Sequence, residues 1–184
     1  MTTQQKRIHP HKFTLWVAIC SIVMMFAGLT SAYIIKRNQA NWLTFDLPVI
    51  FWYSTALIII SSVTLMLSQR AFAERAMSKY RKMLAVTCLL GISFIIMQVI
   101  GFTQLTASGF TLTKNVAYSF VYILVGLHAL HVIGGVIALV VMLVRIFSSK
   151  TRNYSSVPVE MMSTYWHFVD LLWIYLFVFL LMIR

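Results

Sequence analysis

Ionisable side chains are scarce in this chain, and those lodged inside its apolar stretches fall in the last third. His128 and His131 lie in one long apolar run, and Glu160, His167 and Asp170 lie in the next. Near the centre of a bilayer such a group costs at least about 2.5–3.5 kcal/mol, so it faces protein and marks a functional position by default. Glu160, Ser163, His167 and Asp170 are spaced three, four and three apart, which puts them on one stripe of a helix. His128, His131 and Gly135 form a similar stripe on the helix before it. A short connection makes the two helices antiparallel neighbours. The simplest arrangement turns both stripes into protein, with carboxylates and imidazoles pairing across the seam.

Three chemistries fit these residue types. Imidazoles with carboxylates are a ligand set for a metal ion or haem. A buried chain of histidine and carboxylate can carry protons. A hydrogen-bonded clamp can fix helix register against a partner. Depth argues against metal, because Glu160 falls near a membrane surface and His131 near the middle. The apolar bulk of Trp166, Phe168 and Trp173 reads as an interface rather than an open site. The clamp is therefore the simplest reading. Its helix-clamp or subunit-interface candidates are His128, His131, Glu160, Trp166, His167 and Asp170; no residue is assigned to catalysis, cofactor binding or metal ligation. Cys20 and Cys88 lie far apart in apolar runs, without a CxxC or Cys–His cluster, and read as small buried hydrophobes.

The elements that must position these groups follow from composition. Of the 184 residues, 60% are hydrophobic and 10% charged. A soluble domain carries about 25% charged residues, so this chain needs lipid as its solvent. A mean hydropathy of +0.86 agrees. Five stretches are long enough to cross about 30 Å of hydrocarbon, which takes about 20 apolar residues. They cover about 13–35, 47–67, 83–102, 116–147 and 159–183. Backbone groups in lipid must be satisfied within the segment, and no alternating barrel pattern is present, so the expected fold is all-α. It is a polytopic bundle of five transmembrane helices forming a single membrane domain over 1–184. The first stretch is too long for the core of a signal peptide and reads as a retained helix.

The formal net charge of +11 would suggest nucleic acid in a soluble protein. Here the charge sits in short loops, and no nucleic-acid-binding motif accompanies it. Eleven of the fifteen basic residues fall on one side of the expected membrane and four on the other. That bias places the N-terminus in the cytoplasm and the C-terminus outside. Gly28 with Ala32, and Gly91, Gly101, Gly134 and Gly135, read as points of close helix approach. Ser54, Ser61 and Ser68 recur every seven residues as a weakly polar stripe, and Gln98 sits mid-helix.

The run Tyr165-Trp166-His167-Phe168-Val169-Asp170-Leu171-Leu172-Trp173 resembles the signature of subunit III of haem-copper oxidases, the cytochrome c oxidase family. Gly126-Leu127-His128-Ala129-Leu130-His131-Val132-Ile133-Gly134 is similar to that family's G-x-H-x-x-H-V-x-x-G segment. Glu160 matches a family carboxylate, and Phe26-Ala27-Gly28-Leu29 with Ala32-Tyr33 resembles the first helix of its short, five-helix members. The resemblance implies a non-catalytic subunit without haem or copper of its own. It would pack on catalytic subunit I beside subunits such as II and IV, which would hold the haem and copper. It would bind phospholipid and support proton uptake and lasting turnover in the bacterial cytoplasmic (inner) membrane. One departure stands out: the family has Ser-Glu where this chain has Ser21-Ile22, so a role resting on that lost carboxylate does not transfer to Ile22. The electron donor, cytochrome c or quinol, is not legible in this chain, and the related subunit beside nitric oxide reductase shares the motifs. A stand-alone haem b carrier and a small transporter are the competing classes. The transporter lacks inverted repeats and broken helices.

Overall fold

Each apolar stretch forms one uninterrupted helix in the computed structural model, which describes residues 10–37, 48–107, 116–148 and 156–183. The helices are α1 (Pro10–Arg37), α2 (Ile50–Ala73), α3 (Met77–Ala107), α4 (Val116–Ser148) and α5 (Ser156–Ile183). All five are long and apolar enough to span a bilayer.

The helices overrun the apolar limits except at the start of α2, which begins at Ile50 where 47 was expected, Leu47 itself lying outside the described residues; the overrun is greatest at α3, which starts six residues before the expected 83 and ends five after 102. The cause is that backbone hydrogen bonding continues past the hydrocarbon edge, carrying Lys79, Arg81 and Lys82 on the helix. Proline does not interrupt the run of helices. Pro10 opens α1 and Pro158 lies in the first turn of α5, where a missing N–H breaks no intrahelical bond.

α2 turns into α3 through a Schellman-type cap. The Ala76 N–H donates to the Ala71 carbonyl at 2.9 Å and the Arg75 N–H to that of Phe72 at 3.0 Å. Arg75 adopts φ 58°, a left-handed conformation that costs a side-chain-bearing residue about 1–2 kcal/mol. The cap satisfies the last carbonyls of α2 and reverses the chain, so α2 and α3 form a tight antiparallel pair.

α2, α3, α4 and α5 close a ring in which each helix packs on the next and α5 returns to α2; α1 touches only α4 and α5, from outside. Half of the α5 span is buried within the chain, against 17% of the α1 span. Phe13, Trp16, Met24, Leu130, Leu171 and Met182 stand exposed on the outer surface. A band of this size faces hydrocarbon, since soluble monomers rarely expose contiguous apolar area beyond a few hundred Å².

Trp166 fills the ring's centre. A Cβ added at Gly91 of α3 would meet its Cη2 at 2.7 Å, and one at Gly135 of α4 would lie 3.1 Å from Cε3 and Cζ3. Those two glycines therefore make room for the indole. Gly101 plays the same part for Ile50 and Phe51 of α2. Gly28 does not, because nothing lies within 4 Å of an added Cβ there. The Gly28–Ala32 spacing is thus not a close-packing motif inside this chain.

Candidate functional site

Among the described residues, the carboxylates and imidazoles of α4 and α5 sit at helical spacing but do not pair with one another. α5 is the shared wall of the ring and also carries α1, so its residues face different neighbours. Glu160, at the exposed start of α5, meets Lys12 of α1 in an ion pair at 2.6 Å. His167 Nδ1 lies 2.6 Å from the Ser62 hydroxyl of α2. The buried Trp166 donates its indole N–H to Ser61 at 3.1 Å, and Trp173 donates to Thr55 at 2.9 Å. Both indoles are core residues of this one chain, at 1% exposure, rather than a face presented to another protein.

On α4 the two histidines diverge. His131 Nδ1–H donates to the Leu127 carbonyl at 2.7 Å, and its ring meets the edge of Phe26 on α1 at 5.9 Å between centroids. Tyr165 of α5 donates its hydroxyl to the His131 carbonyl at 3.1 Å. His128 is fully buried, with its ring 5.1 Å from Trp173 and 6.0 Å from Phe94. Among the described residues neither ring nitrogen has a hydrogen-bond partner. Asp170 is buried at 4% exposure, and among the described residues neither carboxyl oxygen has a hydrogen-bond partner. Among the described residues no three His, Cys, Asp or Glu side chains come together as a metal site.

The seam that does form runs between α2 and its neighbours. Ser54 accepts from Gln98 of α3 at 3.1 Å, Ser61 serves Trp166, and Ser68 donates to the Tyr80 carbonyl of α3 at 3.4 Å. The seven-residue serine stripe and Gln98 were visible in the sequence as small or polar positions. Ser62 and Thr55, which serve His167 and Trp173, carried no such signal, since single hydroxyls are common in membrane helices.

Two grooves flank α1. One, about 330 Å³, is apolar and lies against α5 between Val23, Phe26, Ala27, Phe168, Leu172 and Tyr175. The other, about 480 Å³, lies where α1, α4 and α5 meet. His11 and Arg145 sit among its lining residues, with Leu15, Met142, Met161 and Tyr165 supplying apolar and aromatic surface. Ile22, at the position of the family carboxylate, packs half-buried against the core as an ordinary apolar side chain.

The family model for cytochrome c oxidase subunit III matches residues 11–183, which takes in all five helices except the first residue of α1. The chain belongs to the cytochrome c oxidase subunit III family. It is 33% identical over 180 residues to a probable cytochrome c oxidase subunit 3 of Nocardia farcinica, covering 92% of this chain and 85% of that protein. It is 32% identical over 163 residues to the cytochrome c oxidase subunit 3 of Corynebacterium diphtheriae, covering 85% and 80%. A cytochrome bo(3) ubiquinol oxidase subunit 3 of Pseudomonas aeruginosa is 29% identical over 170 residues, covering 90% and 81%. As a subunit III of the haem-copper oxidases, the chain is a multi-pass membrane protein that works in a complex with other oxidase subunits.

Proposed function

We propose that this chain is the non-catalytic subunit III of a bacterial cytochrome c oxidase, oriented with its N-terminus in the cytoplasm. It packs on catalytic subunit I, holds phospholipid and sustains proton uptake and turnover. Haem and copper reside in the partner subunits. The observation that carries the lipid role is the groove between α1, α4 and α5. An apolar wall of Leu15, Met142 and Met161 suits acyl chains, while the Arg145 guanidinium can donate hydrogen bonds to a phosphate. On the orientation read from the loops, this end of the bundle is the cytoplasmic one, where anionic headgroups lie.

The clamp reading of the site residues takes a specific form. Trp166, His167 and Trp173 lock α5 onto α2, and Glu160 ties α1 to α5. The rigid ring then presents the lipid groove and the outer faces to the rest of the complex. Gentle extraction of the tagged chain tests the assignment. A coloured complex with haem and copper is expected, together with phospholipid that remains through purification. A colourless chain alone, or a haem lost on His131→Leu while the partner stays bound, would overturn it. Stripping the chain from the complex should speed inactivation during turnover; equal decay with and without it removes the proton-support role.

A quinol donor is the second reading, favoured by the similarity to a ubiquinol oxidase subunit 3. The presence or absence of a copper site in the co-purified subunit II decides between the two.

A further inference from the structure

We propose that another subunit of the oxidase lays a membrane-spanning helix into the trough between α1 and α2, over the outward side of α5, and brings a hydroxyl or side-chain amide to Nε2 of His167. This names the docking face for the packing proposed above and rests on that reading.

The trough follows from which helices touch. α1 packs on α4 and α5, α2 packs on α3 and α5, and among the described residues α1 and α2 do not meet. The outward side of α5 is therefore open between them. Leu171, Tyr175 and Val178 stand exposed there at helical spacing. On the α1 side, Val23 and Ala27 line the apolar groove of about 330 Å³ together with Leu171 and Tyr175. On the other side, Thr55 and Ser62 of α2 reach across to Trp173 and His167. Trp52, Ile59 and Met66 share that α2 stripe, at steps of three and four, and are exposed beside the seam.

Apolar walls alone would be served by acyl chains. His167 decides against them. It is half-buried and sits near the midpoint of the Ser156–Met182 span. Nδ1 is engaged with Ser62 at 2.6 Å, and among the described residues no hydrogen bond reaches Nε2. In either tautomer the second ring nitrogen keeps a donor or an acceptor to be matched. Acyl chains offer neither, and an ionisable group at this depth faces protein or a water-filled cavity. The apolar walls leave protein. Only a helix satisfies its own backbone beside lipid, and a hydroxyl or amide can both donate and accept, so it matches either tautomer. The outer face of α3 is the contrast. Leu89, Ile96 and Val99 are exposed there, and no histidine or charged residue occurs from Met83 to Ala107. That face suits lipid.

The test is photo-crosslinking of the full complex in native membranes, with benzoylphenylalanine at Ile59 or Val178 and at Leu89 as the control, and adducts identified by mass spectrometry. Ile59 and Val178 should join a membrane segment of another oxidase subunit, while Leu89 gives lipid adducts. Adducts to lipid alone at Ile59 and Val178, to a second copy of the chain, or to the same subunit from Leu89, with the complex intact, would overturn the docking face. His167→Leu should lower the partner retained on the tagged chain by about threefold or more, the effect of losing one hydrogen bond between membrane helices. His167→Gln, whose amide reaches as far as Nε2, should restore part of it. Unchanged retention in His167→Leu, or no recovery in His167→Gln, overturns the role of Nε2. The crosslinks keep His167 in place, so they stand even if His167→Leu fails to fold. A chain that co-purifies with no oxidase subunit would overturn the proposed function itself, and this inference with it.

Discussion

α5 and α1 have similar length and hydropathy, yet the structure uses them differently. α5 has half its span buried, with indoles, an imidazole and a carboxyl turned into the ring. α1 has 17% buried and lies against α4 and α5 with a groove on either flank. Side-chain ties join it to α5, with Lys12 bonded to Glu160 at one end and Thr30 bonded to Tyr175 at 3.1 Å towards the other. Hydropathy therefore selects what crosses the membrane, whereas the side chains that interdigitate decide what forms the core. The comparison predicts that equal changes on the two helices have unequal effects.

The largest effect belongs to the Trp166 socket. Truncation of a buried aromatic costs about 3–5 kcal/mol, and Trp166→Ala should lose most of the folded chain in detergent. Gly91→Ala drives a Cβ into the indole and should also destabilise. Because both act on one contact, the double variant Gly91→Ala with Trp166→Phe should be more stable than the sum of the single effects. Additive losses in chemical denaturation would show that the socket does not set α5 in place. On the α1 side, Met24→Ala should change stability little, since that side chain is 75% exposed.

Ser61→Ala should come next. It leaves the Trp166 N–H buried without an acceptor, at about 1–3 kcal/mol, although only one oxygen is removed. An unchanged denaturation midpoint would mean the indole finds another acceptor and that the α2–α5 ladder contributes packing alone.

The sequence exposed the five spans because the bilayer imposes a length and an apolar composition on each segment separately. It also exposed the polar residues of α4 and α5, since ionisable groups stand out against hydrocarbon. Their partners were not legible. Helical spacing places Glu160 and His167 on one stripe, but the first reaches Lys12 and the second Ser62. Which helix stands opposite is a property of the closed ring and not of any one segment. Close approach was legible only in part for the same reason: Gly91 and Gly135 face a tryptophan, and Gly28 faces nothing within the chain.

A change in the α1 groove should separate lipid from fold. Arg145→Leu should leave the denaturation midpoint unchanged while reducing the phospholipid that co-purifies and hastening loss of activity during turnover. Lipid retained at the wild-type level would move the binding site elsewhere.

The smallest thermodynamic effect is expected at the Lys12–Glu160 pair. Both side chains are roughly half exposed, at 41% and 51%, and solvent-exposed pairs contribute about 0.2–1 kcal/mol. Glu160→Gln should therefore barely move the midpoint. Its structural consequence should be larger than its energetic one, because this pair ties the start of α1 to the start of α5. Spin labels on α1 and α5 near this end should report a broader distance distribution in Glu160→Gln, and more so as Lys12→Met is added. Screening weakens exposed pairs, so raising salt should broaden the wild-type distribution towards that of the variant. If the distribution stays narrow, apolar packing alone holds α1, and its position as the outer helix does not depend on the ion pair.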